Sequence, residues 1–514
     1  MQALTTKRTP STTAVTLLML VWLAWTAWAR PLMLPDEGRY VGVAWEMLRS
    51  GDWLTPTLNG LPYFHKPPLF YWITAASLWL FGQHEWAARV ASLLGAVLGS
   101  TTLYLFIRRW SSEHSARAGL VVLLAQPLWF VAAQFANLDM LVAGCISATI
   151  VLLAHASLLA DHDKPWRAVL TGAWAMAALG VLAKGLIGFV LPAVVIFVWL
   201  VLQKRWRSLF ALLWWPGILV FLAMTAPWFV AMQQRFPEFL DYFFVVQHFK
   251  RFTESGFNNV MPFWFYPAVL SVCFLPWLPW MARALKTQCG PSEPQKAVRL
   301  LMLVWPAMIV LFFSLPKSKL LGYVLPAVPP LAFLAAEGFL LQAPLSRTSI
   351  RLWRLAAGIG RALALGIVGW LSVHPKDSTQ AFAQVLRSSR QAPEPVVVLD
   401  KYLFDLPFYA QLDKPVVVVG HWDDPELRQH DSQRKELADA GRFDKAAAAK
   451  LLVLPAALPA LLCRSATTWV LGPSSSVIRY PFLQVATDLL HENGTALWRI
   501  DTKTPAMLSA LACG

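Results

Sequence analysis

Charge is what this chain has least of. Asp, Glu, Lys and Arg make up 14% of its 514 residues, where a soluble globular chain carries about 25%. Together with 57% hydrophobic residues, 26 Trp and 30 Phe, that scarcity argues against a water-soluble multidomain enzyme. Cysteine is scarce too: five, at 145, 273, 289, 463 and 513, with no CxxC and no metal-ligand spacing. No disulfide framework is therefore expected, and the thiols read as packing residues. HExxH, Walker A and GxSxG motifs are absent. This counts against a zincin-type intramembrane protease, an ATP-driven pump and an α/β-hydrolase.

What is present is apolar sequence of membrane-spanning length over most of residues 13–373, with room after it for one ordinary domain. The first run, Ala14 to Ala29, follows Lys7 and Arg8 as a signal peptide does. Trp22, Trp25, Trp28 and the lack of an A-x-A site favour a retained anchor. Further spans centre near 86–107, 118–133, 140–160, 168–182, 185–203, 208–231, 262–282, 298–315, 320–341 and 355–373, which makes about eleven. The net charge of +15 sits in short clusters between these runs, not in a nucleic-acid-binding face. With the N-terminus inside, five consecutive loops beginning with Arg108, Arg109 and Arg117 and ending with Arg347, Arg351 and Arg354 obey the positive-inside rule. The apolar stretch Leu69 to Phe81 is too short for a comfortable crossing, and counting it would invert every later loop; it reads as re-entrant or interfacial.

The outer face then receives residues 31–66, the turns at 134–139 and around Lys184, the loop 232–261, Pro316 to Lys319, and everything after about 374. That tail changes character. EPVVVLD (394–400), KPVVVVG (414–420), KLLVLP (450–455) and TTWVLG (467–472) read as short strands, and LPFYAQL as a helical turn, giving a small α/β domain without a phosphate loop.

The outer segments hold the polar residues that chemistry needs. Asp36 and Glu37 lie just past the first span, where carboxylates are costly unless hydrated, paired or working. Asp36 reads either as the N-cap of a helix through Tyr40, Ala44 and Leu48 or as a general base at the membrane surface. Lys66, stiffened by Pro67 and Pro68, suits a phosphate contact or simple snorkelling. Asp139 heads a span and reads as its cap. Lys184, Lys317 and Lys319 are external cations that run against the inside bias, and convergent cations point to an anionic ligand. In QHFKRFTESGF, His248, Lys250 and Arg251 offer a phosphate clamp, a metal ligand or proton shuttle, or the basic anchors of an interfacial helix. Tyr40, Trp53, Tyr63, Tyr71 and Trp72 serve sugar stacking and interfacial anchoring about equally.

The strings PDEGRYVGVAWEML, SGDWLTPTLNGLPYFHKPPLFYW, NLDM, LAKGLIGFVLP, HFKRF and SKLLGYVLPAVPPLA, in that order over about residues 30–340, resemble the bacterial GT-C glycosyltransferases. The resemblance is closest to the lipid A 4-amino-4-deoxy-L-arabinose transferases, which are related to protein O-mannosyltransferases. It implies a polytopic α-helical membrane protein of GT-C type with about 11–13 transmembrane helices and a small C-terminal α/β periplasmic domain. The domains would be 1–373, with periplasmic loops at 31–66 and 232–261, and 374–514. The implied location is the bacterial inner membrane, N-terminus cytoplasmic. The implied reaction moves a sugar from undecaprenyl phosphate to lipid A or another envelope acceptor, with inversion; a protein O-mannosyltransferase-like enzyme and a lipid-carrier transporter stand as alternatives. Transporters show inverted repeats and midplane polar residues, and neither is visible here.

On that resemblance Asp36 and Asp139 match the catalytic acidic residues. Lys66 matches the lysine near the carrier phosphate, and Arg251 and His248 lie in the closing loop. Tyr63, Lys184, Lys317, Lys319, Tyr323, Glu37 and Arg39 fall to carrier-phosphate and substrate binding. The family commonly has a carboxylate, linked to metal binding, where this chain has His65, and Gln247 stands where Glu often precedes the loop histidine. Imidazole suits zinc and is a poor ligand for magnesium or calcium, so any divalent metal held by His65 and His248 would sooner be zinc.

Overall fold

The computed structural model describes residues 11–250, 259–286, 292–342, 344–375, 377–428 and 432–513. Among them seven helices are long and apolar enough to cross a membrane: Val90–Trp110, Leu138–Ala160, Arg167–Lys184, Trp215–Arg235, Glu293–Ser314, Leu321–Leu340 and Arg347–Val373. Two further helix pairs are apolar enough only together, Glu113–Leu124 with Pro127–Ala133 and Phe265–Cys273 with Leu275–Lys286, each bent by 70° as in a broken span or a re-entrant loop. Pro127 and Pro276 open the second halves, where a proline lacks an N–H and clashes with the preceding turn. Where the other two spans are expected lie shorter apolar helices, Thr12–Ala24 and Ile187–Leu202, of 13 and 16 residues. The chain is a multi-pass membrane protein. Leu69–Phe81 is one 13-residue helix, about 20 Å long at 1.5 Å per residue and short of a hydrocarbon core of about 30 Å.

By packing, the chain divides into two compact units, neither of them contiguous: Met1–Ala29, Arg89–Pro227 and Met261–Ser372 form one, and Arg30–Ala88, Trp228–Val260 and Val373–Gly514 form the other. The first is helical. Its centre is Leu138–Ala160, buried on nearly every side, which lies against Val90–Trp110 through small residues. A methyl group on Gly144 would sit 2.1 Å from the Gly95 carbonyl oxygen, so the two backbones meet as only glycine permits.

The second unit is built on a six-stranded sheet. Its order runs Leu452–Val453, Val417–Val419, Val396–Leu399, Thr467–Pro473, Thr495–Asp501 and Thr487–Glu492. The first four strands are parallel and the last two antiparallel additions. Val397, Leu399, Val470 and Trp498 anchor its core. The strands expected at 394–400, 414–420, 450–455 and 467–472 are all present, as is the helical turn, Leu406–Tyr409. The final hairpin was missed although Asn493–Gly494, both at positive φ, announces it. The same dipeptide, Asn59–Gly60, turns Thr57–Leu58 back on Leu61–Pro62.

One expectation is overturned here: Cys463 and Cys513 form a disulfide, 50 residues apart in sequence, beside the sheet core. No short-spacing motif marks such a pair, because the two cysteines meet only when Leu458–Leu462 and Pro505–Leu511 pack on the sheet.

Candidate functional site

The predicted residues fall into two sets, one in each unit. In the sheet-bearing unit they gather around the helix Asp36–Ser50. The expected cap is not Asp36: Pro35 occupies that position, and Asp36 is the first helical residue. Proline offers no side-chain acceptor, and the Met33 carbonyl takes the Glu37 N–H at 3.0 Å instead; the Glu37 carboxylate in turn accepts the Met33 N–H at 3.0 Å and pairs with Arg30. Both side chains of that pair are almost fully shielded from water, so Glu37 is a buried structural anchor.

Asp36 faces the other way. It pairs with Arg39 one turn on, and its side chain keeps 37% of its surface open. Arg39 offers its second terminal nitrogen to Glu436, on the helix Gln433–Ala440 far along the chain. Burial opposes the guanidinium charge, but the carboxylates of Glu436 and Asp36 outweigh it and hold Arg39 above its ordinary value. Tyr63 donates to the other oxygen of Glu436 at 3.2 Å. Burial, and then the Glu436 charge, push the Tyr63 phenol up, so it remains a donor.

His65 stacks on Tyr63 with centroids 4.5 Å apart and meets the Tyr242 hydroxyl at 2.9 Å. Tyr242 also accepts from Gln247 at 3.0 Å, and burial raises its pKa. Tyr242 and Gln247 belong to a π-helix, Asp241–Lys250, a rare geometry found often at functional sites. Lys66 follows His65 and is half-buried. His248 lies within that π-helix, with its side chain outside the described residues, and Arg251 lies outside them altogether.

In the helical unit Asp139 is again not the cap. Asn137 caps Leu138–Ala160 by accepting the Asp139 N–H at 2.9 Å, which frees the Asp139 carboxylate to pair with Lys184. Lys184 ends the helix Arg167–Lys184 and lies 4.4 Å from the centre of the Tyr323 ring. A carboxylate near a helix start and a cation at a helix end each complement the dipole there. Gly322 makes the approach possible: a methyl group on it would fall 2.0 Å from Asp139 Oδ2. Lys319 is nearly buried, donates to the Met261 carbonyl at 3.1 Å and to Pro316, and is lowered in pKa by burial. The Lys317 side chain is exposed.

Of the two candidate metal residues, His65 alone has a described side chain. His65 is engaged by two tyrosines, and among the described residues no three His, Cys, Asp or Glu side chains converge to hold an ion. Sequence reasoning missed Glu436 and Tyr242. Tyr242 sits six residues before His248 and was within reach of that motif, whereas nothing near Glu436 marks it.

The chain is similar to several known proteins. A family model described as dolichyl-phosphate-mannose-protein mannosyltransferase matches residues 65–230. An undecaprenyl phosphate-alpha-4-amino-4-deoxy-L-arabinose arabinosyl transferase of Erwinia tasmaniensis is 34% identical over 355 residues, 67% of this chain and 63% of the relative. Its namesake from Pectobacterium carotovorum is 34% identical over 352 residues, 66% and 62% of the two chains. The chain thus spans about three fifths of the length of the curated relatives it matches. The crystal structure of ArnT from Cupriavidus metallidurans bound to undecaprenyl phosphate superposes with a TM-score of 0.80 at 24% identity, covering 97% of this chain and 99% of that one. The chain has the GT-C fold. The archaeal oligosaccharyltransferase AglB of Archaeoglobus fulgidus shares the fold more distantly, with a TM-score of 0.51 at 14% identity, 98% of this chain and 77% of that one. In this GT-C chain the small C-terminal sheet and the apolar helices are both present, as the motifs implied.

Proposed function

We propose that the chain is a glycosyltransferase that moves 4-amino-4-deoxy-L-arabinose from undecaprenyl phosphate to lipid A, on the periplasmic face of the bacterial inner membrane. The observation that carries this reading is Asp36: a carboxylate open to solvent, held by Arg39, in the unit that also bears Tyr63, His65 and Lys66. Relatives named for transfer of that sugar align over about two thirds of the chain and support the choice of donor. The Cys463–Cys513 disulfide supports a periplasmic place for the sheet domain, since disulfides persist in oxidising compartments and not in the cytosol.

A polyprenyl phosphate is already a leaving group, and cations that neutralise its developing charge lower the barrier without a nucleotide. Lys66 and Arg251 take that role. With a hydroxyl acceptor Asp36 removes the proton, giving single displacement and inversion. With a phosphate acceptor, already ionised, Asp36 orients groups and stabilises the oxocarbenium-like transition state. A second reading, a protein O-mannosyltransferase-like enzyme or another envelope-glycan transferase using the same kind of donor, is favoured by the family match over residues 65–230.

Mass spectrometry of lipid A from cells with the chain, without it and with Asp36→Asn tests both. The aminoarabinose adduct is expected with the intact chain alone. The Asn variant should fall about 100-fold or more in transfer, with little loss of stability, because a pair open to solvent contributes little. Unchanged lipid A beside exported proteins that lose hexose would favour the second reading, and full transfer by a folded Asp36→Asn would remove Asp36 from the chemistry.

A further inference from the structure

We propose that Glu436, in the C-terminal sheet domain, is a positioning residue for the transfer: its carboxylate holds Arg39 and thereby sets how Arg39 presents Asp36. The proposal rests on Asp36 as the working carboxylate and adds to it a residue from the tail, which carries no catalytic motif of its own.

One guanidinium is shared by two carboxylates. Arg39 gives Nη1 to Glu436 and Nη2 to Asp36. The two acceptors differ in access: the Glu436 side chain is 10% exposed and that of Asp36 37%. Arg39 Nε is buried and has no partner among the described residues. The two terminal nitrogens, each committed to one carboxylate, therefore orient the fork, and its planarity transmits the orientation from one acceptor to the other. The Tyr40 ring, 5.0 Å from the guanidinium carbon, flanks the plane. Glu436 is itself fixed, since its second oxygen accepts from Tyr63 at 3.2 Å.

The carboxylate is not needed to start its own helix. Ser432 caps Gln433–Ala440 by accepting the Lys435 N–H at 3.1 Å. Nor is stability a sufficient reason for it, because a shielded ion pair is often no better than well-packed apolar residues of similar volume. Without Glu436, Arg39 keeps its charge in a shielded place with Asp36 as its remaining acidic partner among those the structure shows on its fork. Asp36 is then drawn inward and its open oxygen lost to solvent and substrate.

The test compares the purified full-length chain with Glu436→Gln and Glu436→Asp, using undecaprenyl-phosphate-linked 4-amino-4-deoxy-L-arabinose as donor and lipid A as acceptor. Glu436→Gln is expected to lower kcat by about 100-fold, the size of effect a small misplacement produces, with the donor KM changed by less than about threefold. Glu436→Asp, which keeps the charge, should regain at least about tenfold of that loss. A Gln variant with parental kcat, an effect on KM alone, or an Asp variant no better than Gln each overturns the proposal. A thermal double-mutant cycle of Glu436→Gln with Arg39→Lys reads the contact without any turnover: non-additive midpoints are expected, and additive ones overturn the pairing. An inactive parent chain with non-additive midpoints would sink the proposed donor and acceptor while leaving the Glu436–Arg39 contact standing.

Discussion

In the helical unit Asp139 reaches Lys184 across 45 residues, from the start of one membrane helix to the end of the next. In the sheet-bearing unit Arg39 reaches Glu436 across 397 residues. The first pair is made by neighbouring elements whose register the membrane already dictates, with both side chains near 10% exposed. The second needs a loop helix and a folded tail, and leaves one carboxylate open. Closed pairs fix a structure. A shared cation with one open acceptor leaves a carboxylate free to meet a ligand, and at Arg39 it arises where distant segments meet.

That contrast can be broken in ranked ways. The largest stability change should come from Asp139→Ala, which removes one member of a shielded ion pair, at a cost of about 3–5 kcal/mol. A lowered unfolding midpoint in detergent would show it, and adding Lys184→Met should recover most of the loss; a single variant as stable as the parent would mean that the helical pair is as open as the Asp36 one. Next, Cys463→Ser with Cys513→Ser should cost the sheet unit about 2–4 kcal/mol. A lowered unfolding midpoint under non-reducing conditions would show it, and a midpoint equal to the parent's would mean that the bridge does not brace the sheet. Smallest is Tyr63→Phe, which removes one hydrogen bond to Glu436 and should cost about 0.5–1.5 kcal/mol. A double-mutant cycle with Glu436→Gln should show the two changes coupled rather than additive.

The membrane part was legible because its signal is local. Twenty apolar residues in a row describe a helix whatever surrounds them, so every expected span has its element. The bends were present in the sequence as Pro127 and Pro276 but were not weighed. Asp36 and Asp139 were placed at the right helix ends; of the readings open to them the cap alone falls, since Pro35 and Asn137 hold the caps. That error is informative, because a carboxylate released from capping is free to pair or react. The hairpin at Asn493–Gly494 was readable from its turn and overlooked. Glu436 and the disulfide were not readable at all: each exists only through tertiary packing, and neither periodicity nor spacing records a contact between segments 50 or 397 residues apart.

The Asn59 side chain has a consequence for how the protein is made. Its amide donates to the Val416 carbonyl and accepts the Val416 N–H, both at 2.9 Å, so the Asn59 turn completes its bonding through the residue that leads into the strand Val417–Val419, 357 residues later. At about 5–20 residues per second of synthesis, that partner emerges about 20–70 s after Asn59 does. Throughout that interval the segment bearing Asp36, Arg39 and Tyr63 waits at the membrane surface while the intervening helices are inserted. A chain cut short before residue 416 would thus possess its membrane helices and its leading acidic motif, yet lack the residue that Asn59 binds.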